Sequence, residues 1–162
     1  MRLSLIFIFI FLLLIGCDLT TNHSKEPNKL GELYVTTITD ASDWSTKPKF
    51  LAITRSSFDE VDETTKEWVL AKLNNEYENV HILEEVKDDE DKFEFKKIRG
   101  KEVIVKVNNG MIIDVEIEQY SESEARVRVA AKRGINVGII PEYEAVYNDG
   151  EWQLDKKVQA EI

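Results

Sequence analysis

The strongest constraint on the fold is a two-residue apolar alternation that runs, with interruptions, from Val103 to Trp152 and whose charged positions obey the same register. Such alternation sends successive side chains to opposite faces of a strand. Val103, Val105 and Val107 lead into Asn108-Asn109-Gly110, and Met111, Ile113, Val115 and Ile117 follow. A three-residue loop with Gly110 in the left-handed region would set Val107 opposite Met111 and Val105 opposite Ile113 on one face, so a hairpin is predicted there. Ser121-Glu122-Ser123 closes the next predicted hairpin, with Ile117 facing Val127 and Val115 facing Val129 inside. On its outer face Glu118 then meets Arg126 and Glu116 meets Arg128. A glycine-bearing loop from Gly134 to Gly138 leads to Pro141–Tyr147, which brings Glu142 and Glu144 beside Arg128 and Arg126. Asp149-Gly150 is a strong two-residue turn that pairs Tyr147 with Trp152 and Ala145 with Leu154. Pro141 lacks a ladder donor and should mark a strand start or an exposed edge.

Upstream the pattern is different. Glu32–Thr39 is rich in β-branched residues and is expected to be a first strand or an extended arm. Asp40–Pro48 has loop composition, and the short apolar run Phe50–Ile53 leads to an expected helix start at Ser57. Ser57 and Glu60 have the spacing of a capping box. Val61, Thr65, Trp68, Val69, Leu73 and Tyr77 then recur at three- and four-residue steps, a continuous stripe that favours core packing over a cofactor box in a helix reaching about Asn79. Val80, Ile82 and Val86 alternate with His81 and Glu85. After the polar residues 87–92 come Phe93 and Phe95, so two strands joined by an acidic hairpin are expected. The predicted class is α+β, with one N-terminal helix packed on a curved antiparallel β-meander of about five to seven strands.

A length of 162 residues suits one domain. With 31 acidic against 21 basic residues the formal charge is -10, which disfavours nucleic acid, because phosphate binding depends on Lys and Arg. One Cys and two His leave too few soft ligands for a Cys/His zinc site and exclude an intrachain disulfide.

The N-terminus carries an address. Residues 3–15, LSLIFIFIFLLLI, lie behind Arg2 and before Gly16, the layout of a secretory signal, and are too short for a comfortable membrane span. Leu14-Ile15-Gly16-Cys17 resembles the lipobox of bacterial lipoproteins, and the chain's single Cys falls at the acylated position. The resemblance implies a signal peptide over 1–16, acylated Cys17 as the first mature residue, and an anchor of several acyl chains on the cell envelope. Asp18 resembles the signal that retains lipoproteins on the inner membrane, facing the periplasm, in enteric-type Gram-negative hosts. In other hosts the expected place is the extracytoplasmic face of the cell membrane. Residues 17–30 then read as the lipidated Cys and a polar tether, and 31–162 as a single globular domain.

The ending Tyr143-Glu144-Ala145-Val146-Tyr147-Asn148-Asp149-Gly150-Glu151-Trp152 resembles the last hairpin of NTF2-like and cystatin-like domains, and the order of elements extends that resemblance over residues 50–158. It implies a ligand cavity between helix and sheet.

Chemistry is sparse. No nucleophile elbow, phosphate loop, dinucleotide fingerprint or metalloprotease helix occurs in the sequence. His81 is the histidine available for acid–base work, but a strand residue is the simpler assignment. Asp88-Asp89-Glu90-Asp91 lacks the spaced ligands and central Gly of a calcium loop and suits a solvated tip. The Glu-Arg-Glu rows suit a cross-strand charge ladder better than paired catalytic carboxylates. The expectation is a non-enzymatic envelope lipoprotein, without cofactor, metal or nucleic acid, that binds a protein partner in an assembly, inhibitor or immunity-type role. The alternatives are a small apolar ligand carrier or enzyme with an NTF2-like cavity, and a lipoprotein that only spaces or coats the membrane.

Overall fold

The computed structural model describes residues 28–161, and side chains for 28–157. The expected signal peptide, Cys17, Asp18 and most of the expected tether lie outside the described residues.

The first described element is helix α1, Lys29–Ser42. Asn28 caps it, its side-chain oxygen accepting from the Gly31 amide at 2.9 Å. Glu32–Thr39 is therefore helical and not a strand or arm. The reason is tertiary: Leu33, Tyr34, Thr37, Ile38 and Ala41 are buried at helical spacing. The hydroxyls of Thr36, Thr37 and Ser42 bond back to the carbonyls of Glu32, Leu33 and Ile38, so these poor helix formers sit in the helix without orphaned polar groups. Lys29 and Leu30, at the end of the expected tether, belong to this helix.

The expected helix start at Ser57 is also displaced. Arg55–Phe58 forms a 3₁₀ turn, and helix α2 spans Glu63–Leu73 with Asp62 as its cap. Ser57 is buried, and its hydroxyl accepts from the Val115 amide at 2.9 Å, so a strand partner takes the oxygen that a capping box would have used. Thr65, Val69 and Leu73 of the stripe pack inward, but the helix ends at Leu73 and not near Asn79. Tyr77, also buried, sits in the turn that follows, its amide donating to the Leu73 carbonyl.

Strand β1, Phe50–Ile53, lies parallel to and between β2, Asn79–Ile82, and β5, Gly110–Tyr120. All four residues of β1 are buried. Leu51 and Ile53 join the large core under α1, while Phe50 and Ala52 join a smaller cluster with Phe93 and Val107. A continuous apolar run is what a strand covered on both faces requires.

After β2 the chain turns into a short helix α3, Leu83–Val86, which places Leu83 and Val86 on the smaller cluster. The expected acidic hairpin is therefore replaced by a helix-to-strand turn. Strand β3, Phe93–Ile98, pairs instead with β4, Lys101–Val107, through Arg99-Gly100, both at positive φ.

The predicted hairpin between β4 and β5 does not form. Both strands pair antiparallel with β6, Glu124–Gly134, through Lys106↔Gly134 and Ile112↔Lys132, so they run in the same direction and meet at a kink. Asn109, not Gly110, takes the positive φ there. Gly110 is required for space: a Cβ would lie 2.2 Å from the Phe50 ring. The physical reason for the changed pairing is that β1 occupies the β5 edge from Gly110 to Ile113.

From β5 onward the predicted register stands. Val115 pairs with Val129, Ile117 with Val127, and Glu116 with Arg128. Strand β7, Val137–Asn148, sets Glu142 opposite Arg128 and Glu144 opposite Arg126. Strand β8, Glu151–Glu161, sets Trp152 opposite Tyr147 and Leu154 opposite Ala145. One bulge intervenes between Ile117 and Gln119, so Gln119 and not Glu118 faces Arg126. Pro141 lies within β7 at another register shift, where its missing donor breaks no regular ladder, so it marks neither a strand start nor an edge.

The architecture is α+β, an eight-stranded mixed sheet with the N-terminal helix packed on it. Three aromatic tips fasten α1. The Tyr143 hydroxyl donates to Asp40 and the Trp152 indole to the Lys29 carbonyl, each at 2.7 Å. The Tyr34 hydroxyl donates from α1 to the Ser57 carbonyl at 2.7 Å.

Candidate functional site

These fastenings leave a cleft of about 380 Å³ between the N-terminal half of α1, the segment Ser56–Val61 and the distal half of β5. A second depression of about 500 Å³ continues it past Leu30 and Tyr120 toward Asn28 and Glu122. Both open to solvent. The cleft exists because the Ser57 hydroxyl holds the 3₁₀ turn against β5 while the chain leaves again toward α2 at Asp62.

Its floor and walls are apolar where Leu30, Val61 and Ile117 line it, and acidic at Asp59, Glu60 and Glu116. Asp62 and Glu122 line the neighbouring depression, where Lys29 supplies a cation 3.8 Å from Glu122. The Tyr34 phenol, at the cleft, is pushed up to about 12 by burial and then by the Glu60 charge. It is a fixed neutral donor, not a proton-transfer group. Asp62 is held below the usual carboxylate range because the Thr65 hydroxyl and amide donate to it.

One edge of β5 faces this cleft. β1 ends at Ile53 opposite Ile113, and beyond it the strand from Asp114 to Tyr120 pairs only with β6 among the described residues. The Ile113 carbonyl accepts from Thr54 and the Val115 amide donates to Ser57, both across that outer edge. Strand alternation aims the Val115 carbonyl and the Ile117 amide and carbonyl the same way, past the end of β1.

The other candidates are dispersed. His81 sits on β2 opposite Ala52, about 6.3 Å from the Phe50 ring, and burial followed by the Lys92 charge lowers its pKa. Asp89 is ion-paired with Lys92 at 2.5 Å. Among the described residues no group of three or more His, Cys, Asp or Glu side chains is placed to hold a metal. Arg128 bonds Glu116, and Arg126 lies 3.9 Å from both Glu142 and Glu144, a solvent-facing ladder. Exposed apolar side chains, Ile98, Tyr120, Ile135, Val137 and Val146, are spread over several strands and loops, and Tyr120 is the one that borders the cleft.

The sequence did not signal this cleft. Tyr34, Glu60 and Tyr120 are far apart in the chain, and the segment between Ser57 and Asp62 carries a helix-start pattern.

No protein-family model, no curated protein and no solved structure matches this chain. Among the described residues no helix is long and apolar enough to cross a membrane.

Proposed function

We propose that this chain is a non-enzymatic lipoprotein of the bacterial cell envelope, acylated at Cys17, whose domain binds a protein partner in an assembly, inhibitor or immunity-type role. The lipobox-like Leu14-Ile15-Gly16-Cys17 carries the anchoring part. The open cleft beside α1 carries the binding part, since an accessible groove with an apolar floor and charged rim suits a peptide-like contact. Anchor and cleft are close along the chain. Ten residues lie between Cys17 and Asn28, and the eleven steps span at most about 40 Å fully extended, so the cleft would work near the membrane surface. In an enteric-type host Asp18 would keep the protein on the inner membrane, facing the periplasm. Elsewhere it would face outward from the cell membrane.

Two measurements test this. Cys17→Ser should leave an unprocessed precursor without lipid label, and normal processing with acylation in that variant would overturn the anchor. Gentle detergent extraction of the tagged protein, followed by mass spectrometry, should yield a stoichiometric envelope or secreted protein. A bound apolar metabolite without a protein would favour the carrier alternative, for which the apolar floor at Leu30, Val61 and Ile117 is the supporting feature.

A further inference from the structure

Building on the partner-binding proposal, we infer that the partner contributes an extended segment of alternating cationic and apolar side chains, which adds as a strand to the open edge of β5. Three independent features converge on that occupant. The first is the edge itself: β5 continues from Asp114 to Tyr120 after β1 has ended, and although Ser57 takes the Val115 amide, the Val115 carbonyl and the Ile117 amide and carbonyl face outward where a strand could pair. Exposed strand edges invite pairing, and this chain guards its other long edge differently. On β8 the charged Asp155, Lys156 and Lys157 follow one another, and Lys156 and Lys157 are ion-paired with Asp40 and Glu144. The distal part of β5 carries no lysine or arginine from Asp114 to Tyr120.

The second feature is the division of the cleft into faces. Val115 and Ile117 look toward the core side, where Leu30 and Val61 form the floor, while Glu116 and Glu118 lie on the opposite face of β5. An added strand follows the same alternation, so one set of its side chains meets apolar surface and the other meets carboxylates. The third is charge. Asp59 and Glu60 line the far wall, are exposed, and form no ion pair among the described residues. The bulge after Ile117 takes Glu118 out of register with Arg126, so Glu116 and Glu118 both lean on Arg128 and that face of β5 carries more carboxylate than cation. The complement is a partner strand bearing Lys or Arg at every second position.

The test uses the purified protein and three synthetic octapeptides: a Lys-Val repeat, the same repeat N-methylated at alternate amides along one edge, and a Glu-Val repeat. The Lys-Val repeat should bind, with affinity falling as salt rises, and should slow hydrogen exchange at the Ile117 amide. N-methylation removes backbone donors at unchanged charge and should weaken binding at least tenfold. The Glu-Val repeat should not bind. Replacing both Asp59 and Glu60 by Lys should weaken the Lys-Val repeat at least tenfold without altering the thermal midpoint. Equal binding of the methylated and unmethylated repeats, or unchanged exchange at Ile117, would overturn strand addition. Affinity that appears only after deletion of residues 18–27 would overturn it too, because it would assign the edge to the chain's own upstream segment. A stoichiometric partner in the detergent extract whose capture ignores the Asp59→Lys, Glu60→Lys change would remove this surface while sparing the partner-binding proposal. Absence of any protein partner would remove both.

Discussion

In the β5–β8 half, each strand has one buried face and one wet face, and eleven- or twelve-residue strands pair in sequence order. In the β1–β4 half, β1 is four residues long, buried on both faces, and parallel to two neighbours distant in sequence. The contrast teaches where pairing information resides. A one-sided strand fixes its own register, since a slip of one residue would turn Val127 and Val129 to solvent and the arginines inward. A two-sided strand carries no such parity, and its partners are chosen by what the rest of the chain leaves open.

The largest effect expected from disturbing that contrast is Phe93→Ala. Phe93 is fully buried in the cluster on the second face of β1, with its ring 6.0 Å from that of Phe50. Its truncation should cost about 3–5 kcal/mol by urea unfolding. A loss below about 1 kcal/mol would mean that β1 depends on the large core alone. Gly110→Ala should come next, at about 1–3 kcal/mol, because the new methyl meets a Phe50 ring already enclosed by its neighbours. Combining it with Phe50→Leu should cost less than the sum of the two single changes, and simple additivity would disprove that contact.

On the one-sided half, Arg128→Glu should lower the thermal midpoint by roughly 2–4 °C, placing like charges beside Glu116 and Glu142. Added salt should reduce the difference, and an unchanged midpoint would contradict the ladder's contribution. The smallest effect concerns pH. Asp62 has its folded pKa depressed by its bonds to Thr65, so its stabilisation is present above the unfolded carboxylate value and is lost as pH falls through the folded one. The midpoint difference between wild type and Asp62→Ala should therefore shrink as pH is lowered below about 4. A constant difference would assign the cap's role to packing.

The β5–β8 registers were legible because apolar parity, charge pairing and turn chemistry give the same answer at Glu116–Arg128–Glu142 and at Asp149-Gly150. The exception, Glu118, failed through a bulge, which shifts a register by one residue without any mark in composition. Glu32–Thr39 failed for a different reason: β-branched content argued for a strand, while the buried positions have the helical period. Ser57 shows why the cleft leaves no mark in the sequence. Its spacing from Glu60 imitates a capping box, but its hydroxyl is taken by Val115, which is 58 residues away.

The sequence by itself determined the α+β class, the helical stripe from Thr65 to Leu73 and the register of the last three hairpin-connected pairings, because these depend on periodicities within short stretches. Only the tertiary structure decided that β1 would insert beside β5, that Gly110 would give way to Phe50, and that the β5 edge would stay open beyond Ile113. Those outcomes depend on competition among distant segments for one edge and one volume, and local patterns carry no record of which competitor wins.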